Sequence, residues 1–85
     1  MTIIAIHTIN ALGALCREYH QQRPMSEIKI RFMLAQLTQV KLEGLIKVID
    51  DVFNELEANL FIVFMKKMYF YEHLMQSVLT MFKGG

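Results

Sequence analysis

The chain has 85 residues, a hydrophobic fraction of 54% and a formal net charge of +1 at pH 7. This length fits one domain with a small core, the apolar content excludes a disordered tail, and the balanced charge gives no general attraction to nucleic acid or anionic lipid. The single cysteine, Cys16, excludes an internal disulfide framework and favours a reducing compartment such as the cytoplasm.

Residues 3–22 are predicted to form the first helix, which ends shortly before the only proline, Pro24. The apolar residues recur at intervals of four and three, as they do on a helix: Ala5, Ile9, Leu12, Cys16 and Tyr19. The β-branched residues of 2–9 also fit a strand, so that alternative stays open. The segment lacks the basic start and the cleavage site of a signal peptide, and we interpret it as part of the fold.

Residues 27–40 are predicted to form a second helix, with Ser26 as its N-cap and Glu27 in the first turn. Ile30, Met33, Leu37 and Val40 are spaced as on one side of a helix. Apolar and polar residues alternate early in this segment, so a strand over 27–34 is the alternative.

Residues 41–58 show the clearest helical pattern in the chain. Their apolar residues occupy about 120° of a helical wheel, and acidic and polar residues occupy the other side. The apolar set is Leu42, Leu45, Ile46, Ile49, Val52, Phe53 and Leu56. The segment carries a net charge of −3, whereas the segments before and after it each carry +2, so it is able to complement its neighbours or a second copy.

Residues 60–83 are predicted to form an amphipathic helix with an unusually wide apolar side, spread over about 160°. The residues assigned to that side, which we expect to pack on the core, are Leu60, Phe61, Phe64, Met68, Tyr71, Leu74, Met75, Val78, Leu79, Met81 and Phe82. Four further apolar residues fall outside it: Ile62, Met65, Tyr69 and Phe70. Because large exposed apolar groups usually mark binding sites, these four are predicted to line a protein interface.

The candidate chemical groups favour no catalytic or metal site. Cys16 and His20 are four residues apart, but two ligands are half a metal site, and His7 and His73 have no obvious partners. Ser26 and Ser77 lack the neighbouring base that an activated nucleophile needs. The carboxylates of 41–58 fit a solvated helix face, and no glycine-rich phosphate loop is present. We therefore expect no enzyme, no cofactor and no small-molecule substrate.

The sequence predicts an all-α chain of 1–85 that forms a helical hairpin or a three- or four-helix bundle. A small domain without disulfides often gains stability by association, so we expect a homo-oligomer or a permanent protein partner. The predicted function is a non-enzymatic interaction module, such as an adaptor, inhibitor or assembly chaperone. The first alternative is a peripheral membrane protein that uses the helix of 60–83. The second is a helical regulator associated with nucleic acid, which the balanced charge disfavours.

Overall fold

The computed structural model describes residues 3–83, and within that range it contains four α-helices and no strand. The helices are α1 (Ile3–His20), α2 (Glu27–Ala35), α3 (Leu42–Leu56) and α4 (Leu60–Lys83), with a 3₁₀ turn at Leu37–Gln39 between α2 and α3. The predicted all-α class is confirmed. Both segments with a strand alternative are helical, apart from residue 2, which lies outside the described residues.

The second helix is shorter than its apolar spacing predicts. α2 ends at Ala35, and the chain continues through the 3₁₀ turn to Val40, which has extended backbone angles. Leu37 is exposed, whereas Val40 is partly buried and packs against the core from the connection rather than from α2. The chain therefore kinks between α2 and α3.

The connection from α1 to α2 has a defined capping geometry. Gln22 takes a left-handed conformation with φ of 60°, and the N–H of Arg23 donates to the carbonyl of Glu18 at 2.8 Å. The N–H of Gln22 donates to the carbonyl of Tyr19 at 3.0 Å, which completes a Schellman motif. Helix α1 accordingly ends at His20, two residues before the predicted boundary, and Pro24 follows in the loop.

Glu18 links this turn to the start of α2. Its carboxylate accepts hydrogen bonds from the backbone N–H of Ser26 at 3.0 Å and from Lys29 Nζ at 2.6 Å. Ser26 Oγ in turn accepts from the N–H of Lys29, as the predicted N-cap should. Burial of Glu18 would by itself raise its pKa, but the hydrogen bonds from Lys29 and Ser26 and the charges of Lys29 and Arg23 lower the pKa below its usual value.

The core is formed mainly where α1, α2 and α3 meet. Its buried apolar residues are Leu12, Leu15, Cys16, Ile30, Met33, Leu45, Ile49, Val52, Phe53, Val63 and Phe70. Phe53 packs edge-on against Phe70, with ring centroids 5.5 Å apart, and Tyr19 lies 5.7 Å from Phe70 in a similar orientation. These aromatic contacts attach α4 to the rest of the fold.

The loop between α3 and α4 is short and capped. Asn59 Oδ1 accepts hydrogen bonds from the N–H groups of Phe61 and Ile62, at 3.0 and 3.2 Å, and so provides the N-cap of α4. Further along the hairpin, Lys67 Nζ of α4 lies 2.7 Å from a carboxylate oxygen of Asp50 of α3. The cap and the ion pair fix where α4 starts and how it lies against α3.

Candidate interaction surfaces on helix α4

Helix α4 contacts the core through a narrow side. Val63 and Phe70 are buried there, and Leu74, Val78 and Met81 are partly buried against the same cluster. Of the eleven residues predicted to form its inward side, only these last three pack on the core. The prediction for the other eight is wrong, because α4 is rotated so that Val63 and Phe70 point inward.

The eight residues form one exposed surface, which we call the α4 apolar face: Leu60, Phe61, Phe64, Met68, Tyr71, Met75, Leu79 and Phe82. Their exposed fractions run from 39% for Tyr71 to 75% for Leu60. At 100° per residue they fall within an arc of about 100°, and a 24-residue helix is about 36 Å long. The surface is therefore a continuous apolar ridge along the whole of α4.

The α4 apolar face contains no charged residue. Its one polar group is the hydroxyl of Tyr71, whose pKa is raised by partial burial and by the nearby negative charge of Asp50, with a smaller contribution from Cys16. The charged residues of α4 lie outside the arc, and Lys67 is held by Asp50. Two exposed residues of α3, Leu42 and Ile46, which belong to the predicted apolar side of that helix, add to the apolar surface outside the core.

Three of the four predicted interface residues lie elsewhere on α4 and share a second surface. Ile62, Met65 and Tyr69 line an open groove of about 710 Å³ between α4 and the α1–α2 loop. Ile62 and Tyr69 are 38% and 47% exposed, and Met65 is partly buried. The other lining residues are Tyr19, His20, Gln22, Arg23, Pro24, Met25, Phe61, Lys66, His73 and Ser77.

The fourth predicted interface residue, Phe70, does not reach either surface. It is fully buried, with its ring in contact with those of Phe53 and Tyr19, so the interpretation that placed it on the outer side of α4 requires correction. The physical reason is its ring, which fills the aromatic cluster that joins α4 to α1 and α3. A wheel diagram ranks residues by angle and does not show this contact.

The groove carries positive charge and apolar surface together. Arg23 and Lys66 line it with His20 and His73, and none of its lining residues is acidic. His73 is oriented by a hydrogen bond between Nδ1 and the carbonyl of Tyr69 at 3.1 Å and by its ring contact with Tyr19 at 5.2 Å. The lining thus lacks the carboxylate that would orient a histidine for acid–base catalysis.

The other candidate groups are accounted for by local contacts. Cys16 is fully buried, and burial raises the pKa of its thiol to about 12, so it does not act as a thiolate at neutral pH. Asp50 pairs with Lys67, and Asp51 pairs with Lys47 at 2.9 Å. Among residues 3–83, no three His, Cys, Asp or Glu side chains are grouped so as to hold a metal ion.

Over the same range, none of the helices combines the length and the apolar character needed to cross a membrane. Comparison with known protein families, curated proteins and solved structures finds no match for this chain. Its function is therefore inferred from the two surfaces of α4.

Proposed function

We propose that this chain is a small non-enzymatic protein-interaction module of the reducing cytoplasm. It binds an apolar helical surface, on a partner protein or on itself, through the α4 apolar face. Such a module acts as an adaptor, an inhibitor or an assembly chaperone. The observation that carries the proposal is the row of eight large apolar side chains, exposed and uninterrupted by charge, along one side of α4.

The extent of this face is larger than an isolated chain ordinarily exposes. If each large side chain contributes roughly 200 Å² when fully exposed, the exposed fractions leave about 950 Å² of largely apolar surface. The largest apolar patch on a typical monomer is about 300–600 Å². At about 25 cal/mol per Å², leaving this area in water is costly, and a binding partner would remove that cost.

The shape of the face supports a helix as the bound element. A straight ridge with side chains at intervals of three and four residues is the geometry by which helices recognise grooves and other helices. Met68 and Met75 lie near its middle, and flexible thioether side chains adapt to varied apolar surfaces.

A photo-crosslinking amino acid placed at Phe64 tests the proposal in intact cells. We expect a covalent adduct with a polypeptide, because position 64 lies in the centre of the arc and would be covered by the partner. The matched control is the same group at Thr80, which is exposed on the polar side of α4. Equal protein adducts at both positions, or none at position 64, would contradict the proposal.

The second candidate is attachment to a membrane surface. It is favoured by the three exposed phenylalanines of the face, Phe61, Phe64 and Phe82, on a long amphipathic helix. Against it, Lys67 is engaged by Asp50, and at the other border of the face the charge of Lys83 is balanced by that of Glu72, so the net positive charge offered to lipid phosphates is small. A phospholipid adduct at position 64, with co-sedimentation on anionic vesicles that is lost in Phe64→Glu, would favour the membrane candidate.

A further inference from the structure

We propose that the surface bound by the α4 apolar face is the same face of a second copy, with the two α4 helices antiparallel around a twofold axis near Tyr71. This inference rests on the proposed function and names its partner. A twofold interface requires a surface that is complementary to itself, and the α4 apolar face meets that requirement in its spacing, its area and its lack of charge.

Six of the eight residues of the face are spaced symmetrically about a point between residues 71 and 72, and the counterparts of the other two, Leu60 and Tyr71, are Lys83 and Glu72. Phe61 and Phe82 are equally distant from this point, as are Phe64 and Leu79, and Met68 and Met75. In an antiparallel dimer, each of these residues would face its counterpart on the second copy. Phenylalanine rings would then meet at the two ends of the contact, and methionines would meet on either side of the twofold axis. The antiparallel arrangement also places the positive end of each helix dipole beside the negative end of the other helix dipole.

The solvent-accessible area of the chain exceeds that of a compact monomer of the same mass by about the area that one subunit buries in a dimer. A compact chain of 10.0 kDa is expected to expose about 5,200 Å². This chain exposes 5961 Å², an excess on the order of 700 Å² over that expectation. A standard interface buries about 800 Å² from each partner, which is close both to this excess and to the extent of the α4 apolar face.

The lack of charge favours a second copy over a chemically different partner. Helical pairs that select a different partner commonly do so with charged residues beside the apolar seam. Along the arc of the α4 apolar face no charge is present; at its borders Lys67 is already paired within the chain, and Glu72 and Lys83 are exposed to water. Two identical faces therefore meet along arcs that contain no charge, with Glu72 and Lys83 at the edge of the contact.

The molar mass of the purified full chain, measured by light scattering across the micromolar range, tests the dimer directly. We expect twice the chain mass of 10.0 kDa at the upper end of the range. Phe64→Glu should raise the dissociation constant by on the order of 30-fold or more, because it places a charge in the centre of the interface. Thr80→Glu adds the same charge on the polar side of α4 and should leave the mass unchanged.

Helical circular dichroism of Phe64→Glu should remain that of the wild-type chain, since residue 64 is 57% exposed and outside the core. A wild-type chain that stays at the single-chain mass throughout the range would overturn the proposal. Equal weakening by Phe64→Glu and Thr80→Glu would also overturn it, because it would place the contact elsewhere.

Engineered disulfides test the antiparallel arrangement. Tyr71→Cys should form a disulfide-linked dimer on mild oxidation, and a mixture of Phe61→Cys and Phe82→Cys chains should link to each other. Cys16 gives no background, since it is fully buried and burial raises the pKa of its thiol to about 12. Efficient linkage of Phe61→Cys chains to one another would show a parallel pair and overturn the proposed arrangement.

The failure of this inference is distinguishable from the failure of the proposed function. A purified chain that is strictly monomeric, together with a protein adduct at position 64 in cells, would overturn the dimer and support a different protein partner. A monomer with no protein adduct at position 64 would overturn both.

Discussion

Helices α3 and α4 differ in how they use their apolar residues. α3 has 15 residues and buries four of them, whereas α4 has 24 residues and buries two, with most of its large apolar side chains in water. α3 lies between its neighbours and α4 lies at the outside of the fold. The comparison shows that a strong apolar pattern indicates contact with some other surface, which need not belong to the same chain.

The reason is the number of apolar arcs on each helix. On α3 one apolar arc is opposed by charged residues such as Lys47 and Asp51, so only one docking orientation is available. On α4 the apolar residues spread over three sides: one is centred on Phe70, one is the α4 apolar face, and one carries Ile62, Met65 and Tyr69 of the groove. The core covers the side of Phe70, and the α4 apolar face is left for another molecule.

The sharpest test of which arc of α4 is inside is the pair Phe70→Ala and Phe64→Ala. Phe70→Ala should lower the free energy of unfolding by about 3–5 kcal/mol, because it removes a fully buried ring from the aromatic cluster. Phe64→Ala should change it by no more than about 0.5 kcal/mol in the monomer. Urea denaturation at dilutions where the chain is monomeric measures both, and a larger cost for Phe64→Ala would reverse the assignment of the two arcs.

A smaller loss of folding stability is expected on substitution of Glu18, which lies in the part of the fold where α1 and α2 pack together. Glu18→Gln should cost about 1–2 kcal/mol at pH 7, since the carboxylate side chain is 15% exposed and holds both Ser26 and Lys29. Its pKa in the folded chain lies below the ordinary value of 4.5, so this contribution is present above pH 4.5 and is lost as the pH falls through the folded pKa.

Urea denaturation of wild type and Glu18→Gln at a series of pH values tests whether the stabilising contribution of Glu18 is lost on acidification. The difference between the two chains should be constant near neutral pH and should shrink as the solution is acidified below about pH 4.5. A difference that grows on acidification would mean that the folded chain favours the protonated carboxyl.

The smallest loss of folding stability is expected on removal of the ion pair that joins α4 to α3. Asp50→Asn should cost about 0.2–1 kcal/mol, because Lys67 is 25% exposed and Asp50 is 42% exposed, and salt should weaken the contribution. The matched control is Asp51→Asn, whose partner Lys47 lies on the same helix with both groups largely exposed. Thermal melts at low and high salt measure both changes, and a larger cost for Asp51→Asn would show that the pair with Lys67 does not help hold α4.

The local features of the sequence predicted the start of α2 correctly. Ser26 caps α2, as its side-chain chemistry and its position just after Pro24 indicated. Ile62, Met65 and Tyr69 were predicted to line a protein interface, and that role stays a prediction. They line one groove, which is formed only because the α1–α2 loop lies against α4.

The sequence by itself determined that the chain is helical over most of 41–58 and 60–83, because the period of apolar residues is a property of neighbouring residues, whereas the strand alternatives for 2–9 and 27–34 were decided by the structure. It also showed that α4 has more apolar residues than one contact can cover. Only the tertiary structure decided which arc of α4 is inside, since that depends on how the ring of Phe70 fits against Phe53 and Tyr19. The fit of side chains across different helices is set by their three-dimensional packing, and a helical wheel contains no information about it.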